Sequence, residues 1–520
     1  MYEGMILVTK RTFRYIAVIL AALFIFSSCA GTGENESKEK GEDSVIALQM
    51  RPCDSFNPLS VTHHSVRDAL SLCYEPLFAV NDKIMLEGVL AQSIDVSDDC
   101  MSAIIILKDS VMWHDGIRFT SADVVNTINL IKENSSWEYY KCVEYIESAE
   151  AIDALSLRLR LSRPYGQIGY SLTFPIVASH NDKLDTVIMG TGPYSFDKYT
   201  PATTLALVRN EKWHGGDAAS EKVNISIIRD NLAATTAFNT GLLSSVTDGV
   251  FDTENAPPKT NTRTTLYPSG EYEYMAMNHH REIFKSQTVR NAISSAIDRT
   301  AIVNDCYGGS AMAADSPIHP AAQDVAESSL LSQYSLANAS EMLFLEGYTL
   351  DESTRLLKDH NDRTMSFSLL VNEENLKRVK TAELLASQLF AAGIEVNVMR
   401  LPFDEYIETI ESGNFDAYLG GTRLQNLYDF EALFSQDGKL NNYGYNGEYM
   451  QLALSGLCSA PGQDALSDAV FNFEEVFLRE QPVCGLVFRM GTLLTAENVM
   501  GKLIPTINSP YRNIWRWSIK

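Results

Sequence analysis

The chain has 520 residues, more than one ordinary hydrophobic core accommodates, so two or three domains are expected. Its 45% hydrophobic and 21% charged residues are those of a globular protein, and a net charge of −24 excludes nucleic acid and an anionic lipid surface as electrostatic partners. Aromatic residues make up 10%, with 23 Tyr among them, a composition suited to gripping a ligand with rings.

At the N-terminus Lys10, Arg11 and Arg14 precede the apolar run Tyr15 to Phe26, then Ser27-Ser28-Cys29. These are the basic, apolar and small-residue regions of a secretory signal. Twelve apolar residues are too few to span a bilayer, which takes about 20. Residues 30–43 are polar and rich in Gly, Glu and Lys, and read as a flexible tether. Seven cysteines follow: Cys53, Cys73, Cys100, Cys142, Cys306, Cys458 and Cys484. None forms a C-x-x-C pair and an odd number cannot pair completely, so buried free thiols are expected, with a disulfide or two left open.

From Ser44, SVIALQM reads as a strand. The loop Thr62-His63-His64-Ser65 precedes a helix ending near Tyr74-Glu75-Pro76-Leu77. Ile104 to Leu107 is a second strand. Val111 to Val125 reads as a strand end, a His114-Asp115-Gly116 turn, a short extended piece and a helix running to about Lys132. Thr120 is its N-cap, with Asp123 closing a capping-box-like pair. Leu155, Leu157, Leu159 and Leu161 alternate as in a strand with one buried face. Gly190-Thr191-Gly192-Pro193-Tyr194 is a turn rather than a phosphate loop, since it lacks the Lys-Ser/Thr that such a loop uses. Val289, Ile293, Ala296 and Ile297 form one helical stripe that belongs in a core. Leu376 to Ala392 is an amphipathic helix stopped by Gly393, and the strand Ile394-Val396-Val398 follows.

The order W-H-D-G-x-x-F-T-x-x-D-V, from Trp113 to Val124, resembles the signature of the solute-binding proteins of oligopeptide, dipeptide and nickel ABC importers, solute-binding protein family 5. Tyr74-Glu75-Pro76-Leu77, Leu90-Ala91-Gln92-Ser93, Gly190 to Tyr194, Asn210-Glu211-Lys212-Trp213 and the helix Val289-Arg290 to Asp298-Arg299 follow in that family's order. The resemblance implies an α/β, two-lobed periplasmic-binding-protein-like fold of class II, the large peptide-binding type, with an extra subdomain in the first lobe. It divides the chain into a lipoprotein signal peptide (1–28), a tether (29–44), lobe I (45–267, with a subdomain at about 75–190), lobe II (268–487) and a return to lobe I (488–520). Cys29 after small residues resembles a lipobox, with Phe26 where Leu is usual, and implies a lipid anchor on the outer face of the cell membrane. The implied function is capture of a peptide or peptide-like solute and its delivery to an ABC permease and ATPase complex by a monomeric binding protein.

Carried over position by position, the resemblance lines the ligand cleft with Thr62, His63, His64 and Ser65, and adds Trp137 and Phe403 as aromatic walls. Peptide-binding members carry Gly-Trp-x-x-Asp, whose carboxylate meets the peptide amine. This chain reads Gly421-Thr422-Arg423-Leu424-Gln425, placing Thr422 at the Trp position and Gln425 at the Asp position. An amide cannot supply the charge-assisted bond that an ammonium takes. Asp429 replaces it only if the loop is rearranged, whereas Arg423 offers a cation suited to a carboxylate or phosphate.

No cofactor is expected. An enzyme is not expected either, as the chain lacks G-x-S-x-G, S-x-x-K followed by K-T-G, and H-E-x-x-H. His63-His64 and His279-His280 raise a metal reading, but adjacent residues on a strand point apart and no H-x-x-x-H or EF-hand spacing accompanies them, so no metal site is expected. The alternatives are a binder of a non-peptide anionic solute or metal chelate, and a ligand sensor.

Overall fold

The computed structural model describes residues 44–247, 257–259, 261–322, 334–424 and 427–520. Cys29, the signal, the tether and Gln425 lie outside them. Three sheets of four or more strands organise the described residues. In the first, Val45–Met50 runs parallel to Lys222–Ile227, and Thr204–Arg209 and Tyr194–Thr200 continue antiparallel. The second is antiparallel in the order Ala91–Val96, Ser102–Leu107, Ser156–Leu161, Ile146–Asp153. Along Ser156–Leu161 the residues Leu157, Leu159 and Leu161 are buried while Arg158 and Arg160 face out, as their alternation requires.

The third sheet has seven strands, six of them in the order Ser245–Thr247, Val483–Ala496, Thr262–Met277, Ala417–Arg423, Ser366–Asn372, Glu395–Leu401. Its centre is the pair of long antiparallel strands Thr262–Met277 and Val483–Ala496, whose register slips between Pro268 and Tyr272. Leu376–Ala391 crosses from Ser366–Asn372 to the parallel strand Glu395–Leu401, and Gly393 takes φ +84° just past the helix end, where a Cβ would be strained.

Apolar residues gather around these sheets in separate cores. One spans Ile46 to Ile225 and takes in Leu493, Tyr511, Ile514 and Trp517 from the chain's end. Two others are built mainly from residues 272 to 488. The fold is thus α/β and two-lobed. Between the cores, Arg163 reaches Glu431 through both guanidinium nitrogens (Nη2 to Oε1 2.7 Å) and Cys458 Sγ (2.9 Å). Beside it the Gly166 amide donates to the Cys458 carbonyl (2.6 Å) and Tyr145 Oη to Asp429 (3.1 Å).

The stretch from Trp113 to Val124 forms a corner tied to residues 179–192, with His114 bonding the Gly190 amide (3.2 Å) and the Gly192 carbonyl (3.1 Å). The helix Ser121–Glu133 starts at Thr120, and the expected capping box is present. Asp123, 2% exposed, accepts from the Thr120 amide (2.9 Å), Trp113 Nε1 (3.3 Å), the Ser179 amide (2.9 Å) and Ser179 Oγ (2.7 Å). Val111 to Trp113 differs from the expected strand end. Only a bridge between Met112 and Arg118 closes it, because Asp115 turns the chain by accepting the Ile117 amide (2.9 Å). The seven cysteines among the described residues are free thiols, buried except for Cys53, which is half-buried.

Candidate functional site

A cavity of about 1550 Å³, with the open solvent at its mouth included, lies where the first core meets the end of Ala417–Arg423 and residues 507–515. One wall is the helix His64–Leu70, capped by His63, whose Nδ1 accepts the Ser65 amide (3.2 Å). His64 opens this helix and faces the cavity. Burial, then the His63 ring and the Arg67 and Arg423 cations, lowers its pKa to about 4, so the imidazole is neutral at neutral pH. Its Nε2 is buried with no hydrogen-bond partner. Arg67 is paired with Glu138. Next to them Tyr139 contributes a ring whose hydroxyl burial pushes up to about 12. Arg423 projects from the strand end, exposed and without an ion pair among the described residues.

The opposite wall is built around Glu75, 5% exposed. It accepts from Thr191 Oγ1 (2.9 Å), Trp213 Nε1 (3.1 Å) and His214 Nε2 (2.9 Å). The Gly190 to Tyr194 turn makes this possible by pressing against Cys73. The Gly192 amide bonds the Cys73 carbonyl (2.8 Å), and a Cβ on Gly190 would stand 1.9 Å from that oxygen. Trp213 packs edge-on against Trp515 (5.3 Å between centroids). Arg512, half-buried, lines this side, again with no hydrogen bond or ion pair among the described residues.

Of the ten residues expected at the cleft, His64 and Arg423 line this cavity. Thr62 is exposed just before the helix, and His63 and Ser65 serve its cap, with Ser65 Oγ accepting the Arg51 amide (3.0 Å). Trp137 packs half-buried against the first core. Phe403 is 52% exposed, stacks on Tyr406 and donates its amide to Glu374 (3.1 Å). Thr422 sits half-buried in its strand, opposite Tyr272. Asp429 is occupied, accepting from Tyr145 and from the Glu431 amide (3.2 Å), and burial raises its pKa. His63 and His64 are not on a strand: their rings stack at 4.5 Å across a helix start. Among the described residues no group of three or more His, Cys, Asp and Glu could hold a metal ion. The roles of Tyr139 and Arg512 were not legible in the sequence, and that of Glu75 was visible only as one letter of a motif.

A pair of α/β lobes with a roomy, aromatic-walled cavity and few, well-placed charges defines a solute-binding protein. Residues 86–443 match the family model described as bacterial extracellular solute-binding proteins, family 5 Middle. The chain belongs to that family. It is 23% identical over 98% of its length to the oligopeptide-binding protein AppA of Bacillus subtilis, covering 98% of that protein. With the glutathione-binding protein GsiB of Pectobacterium atrosepticum it shares 25% identity over 65% of this chain and 68% of that one. Among solved structures, a nickel ABC transporter protein from Bacillus halodurans superposes with a TM-score of 0.80 at 19% identity, over 92% of this chain and 100% of that one.

Proposed function

We propose that this chain is the extracytoplasmic substrate-binding component of an ABC importer. It is anchored through a lipid on Cys29 and captures a peptide or peptide-like solute between lobe I (45–267, completed by 488–520) and lobe II (268–487). Membership of an extracellular solute-binding family supports the class, and relatives named for oligopeptide and glutathione binding support the solute. The observation that carries the reading of the site is Arg423, a cation on the cavity wall without an ion pair among the described residues, two positions before Gln425, the neutral residue that stands where an amine reader has its carboxylate. The solute is accordingly held by an anionic group at Arg423, against the neutral His64 and the Tyr139 ring, and not by its amine. Thr62, Trp137, Phe403 and Thr422 belong to the outer walls that meet a longer solute.

Native mass spectrometry of the purified protein, followed by denaturation to release what it retained, tests this. A ladder of short acidic peptides or a small carboxylate supports the reading. Retention of a species that carries no anionic group would refute the role given to Arg423.

A further inference from the structure

We propose that the cleft is built for a solute with two anionic groups, one held at Arg423 and the other at Arg512. The inference rests on the solute-capture reading above and adds the chemical class of the solute. It begins from the carboxylates of the cavity wall. Glu75 already accepts three hydrogen bonds, Glu138 is paired with Arg67, and Asp68 has interactions of its own. A free ammonium entering the cavity therefore meets no idle carboxylate among the described residues.

The guanidiniums of Arg423 and Arg512, in contrast, have no anion to serve there. They occupy different places. Arg423 acts on His64 and Tyr139, the neighbours contributed by the helix His64–Leu70 and the segment after Ser121–Glu133. Arg512 acts on Lys108, whose pKa is lowered by burial and by that guanidinium although Glu75 opposes it. A half-buried arginine beside a lysine, facing a cavity and unsatisfied, is an electrostatic defect that an anion repairs. The cavity that both cations line also has aromatic walls, with Tyr139, Tyr170, Tyr511 and Trp515 facing it. Such a wall accommodates a flat or apolar middle and leaves specificity to the ends.

The test is calorimetric titration of the protein with N-acetylated peptides of two to five residues that begin with glutamate and end in a free acid. Counterparts begin with glutamine or end in an amide. At the favoured length the diacid should bind at least tenfold tighter than either counterpart. Arg512→Gln should abolish the preference for glutamate over glutamine and leave the glutamine peptide unaffected, while Arg423→Gln should abolish the preference for acid over amide. Equal binding of diacid and monoacid, or an equal loss for both in Arg512→Gln, would overturn the two-anion inference and leave solute capture standing. Failure of every probe, together with no retained small molecule in native mass spectrometry, would overturn both.

Discussion

Two polar regions of the molecule are put to opposite uses. At the Trp113 to Val124 corner, Asp123 is surrounded by donors on both oxygens and has no capacity left. In the cleft, Arg423, Arg512 and His64 Nε2 are left without protein partners among the described residues. Desolvating a polar group is costly unless a partner offsets the loss, so the buried His64 Nε2 marks a place where something other than the protein supplies the partner. The corner explains why the fold survives and the cleft explains what it is for. Glu75 stands between the two cases: it faces the cavity but is saturated, which makes it a structural strut within the binding wall.

The widest gap between the regions should appear on removing Asp123. Asp123→Ala orphans the Thr120 and Ser179 amides and the Trp113 indole in a buried place, and should cost about 4 kcal/mol of unfolding free energy in urea melts. A smaller effect follows from acid. Burial first of all lowers His64, His279 and His319 to about 4, so each is neutral in the folded state and takes a proton more readily when unfolded. Their contribution is complete above about pH 6.5 and is lost as pH falls toward 4, on the order of 2 kcal/mol for each of the two most buried, His279 and His319. Melting temperature measured from pH 7 to pH 4 should decline over that window. A flat profile would mean that the rings are solvated. The smallest change in stability is expected for Arg423→Gln, within about 0.5 kcal/mol, because its side chain is exposed and its guanidinium bonds no other side chain among the described residues. If that variant melts well below the parent protein, Arg423 is a strut like Glu75 and the contrast between the regions disappears.

What the sequence disclosed follows the reach of its signals. The capping box at Thr120 and Asp123, the Gly393 helix stop and the leucine alternation of Ser156–Leu161 are all local, and each appears where the pattern places it. The His114-Asp115-Gly116 turn is equally local and is found where expected, with Asp115 accepting the Ile117 amide, whereas the apolar letters of Val111 to Trp113 did not reveal that only a bridge from Met112 to Arg118 forms there. The partners of Glu75 lie 116 and more residues away, and Tyr145 meets Asp429 across 284 residues. No period or motif links such positions. Arg512 sits in a tail beyond the last matched motif, so neither pattern nor resemblance pointed to it.

The bonds between the cores carry a kinetic consequence. Parting the cores near Arg163 breaks its fork on Glu431, the Gly166 amide bond to Cys458 and the Tyr145 bond to Asp429 in one event. Bonds that must break in concert raise the barrier to opening more than they alter the resting geometry. Under the capture reading proposed above, the dwell time of a trapped solute would then be governed in part by residues that never touch it. Because the Arg163 pair is partly exposed, added salt weakens it and shortens that dwell. Affinity and release thereby become separately adjustable, the first in the cleft and the second at its border.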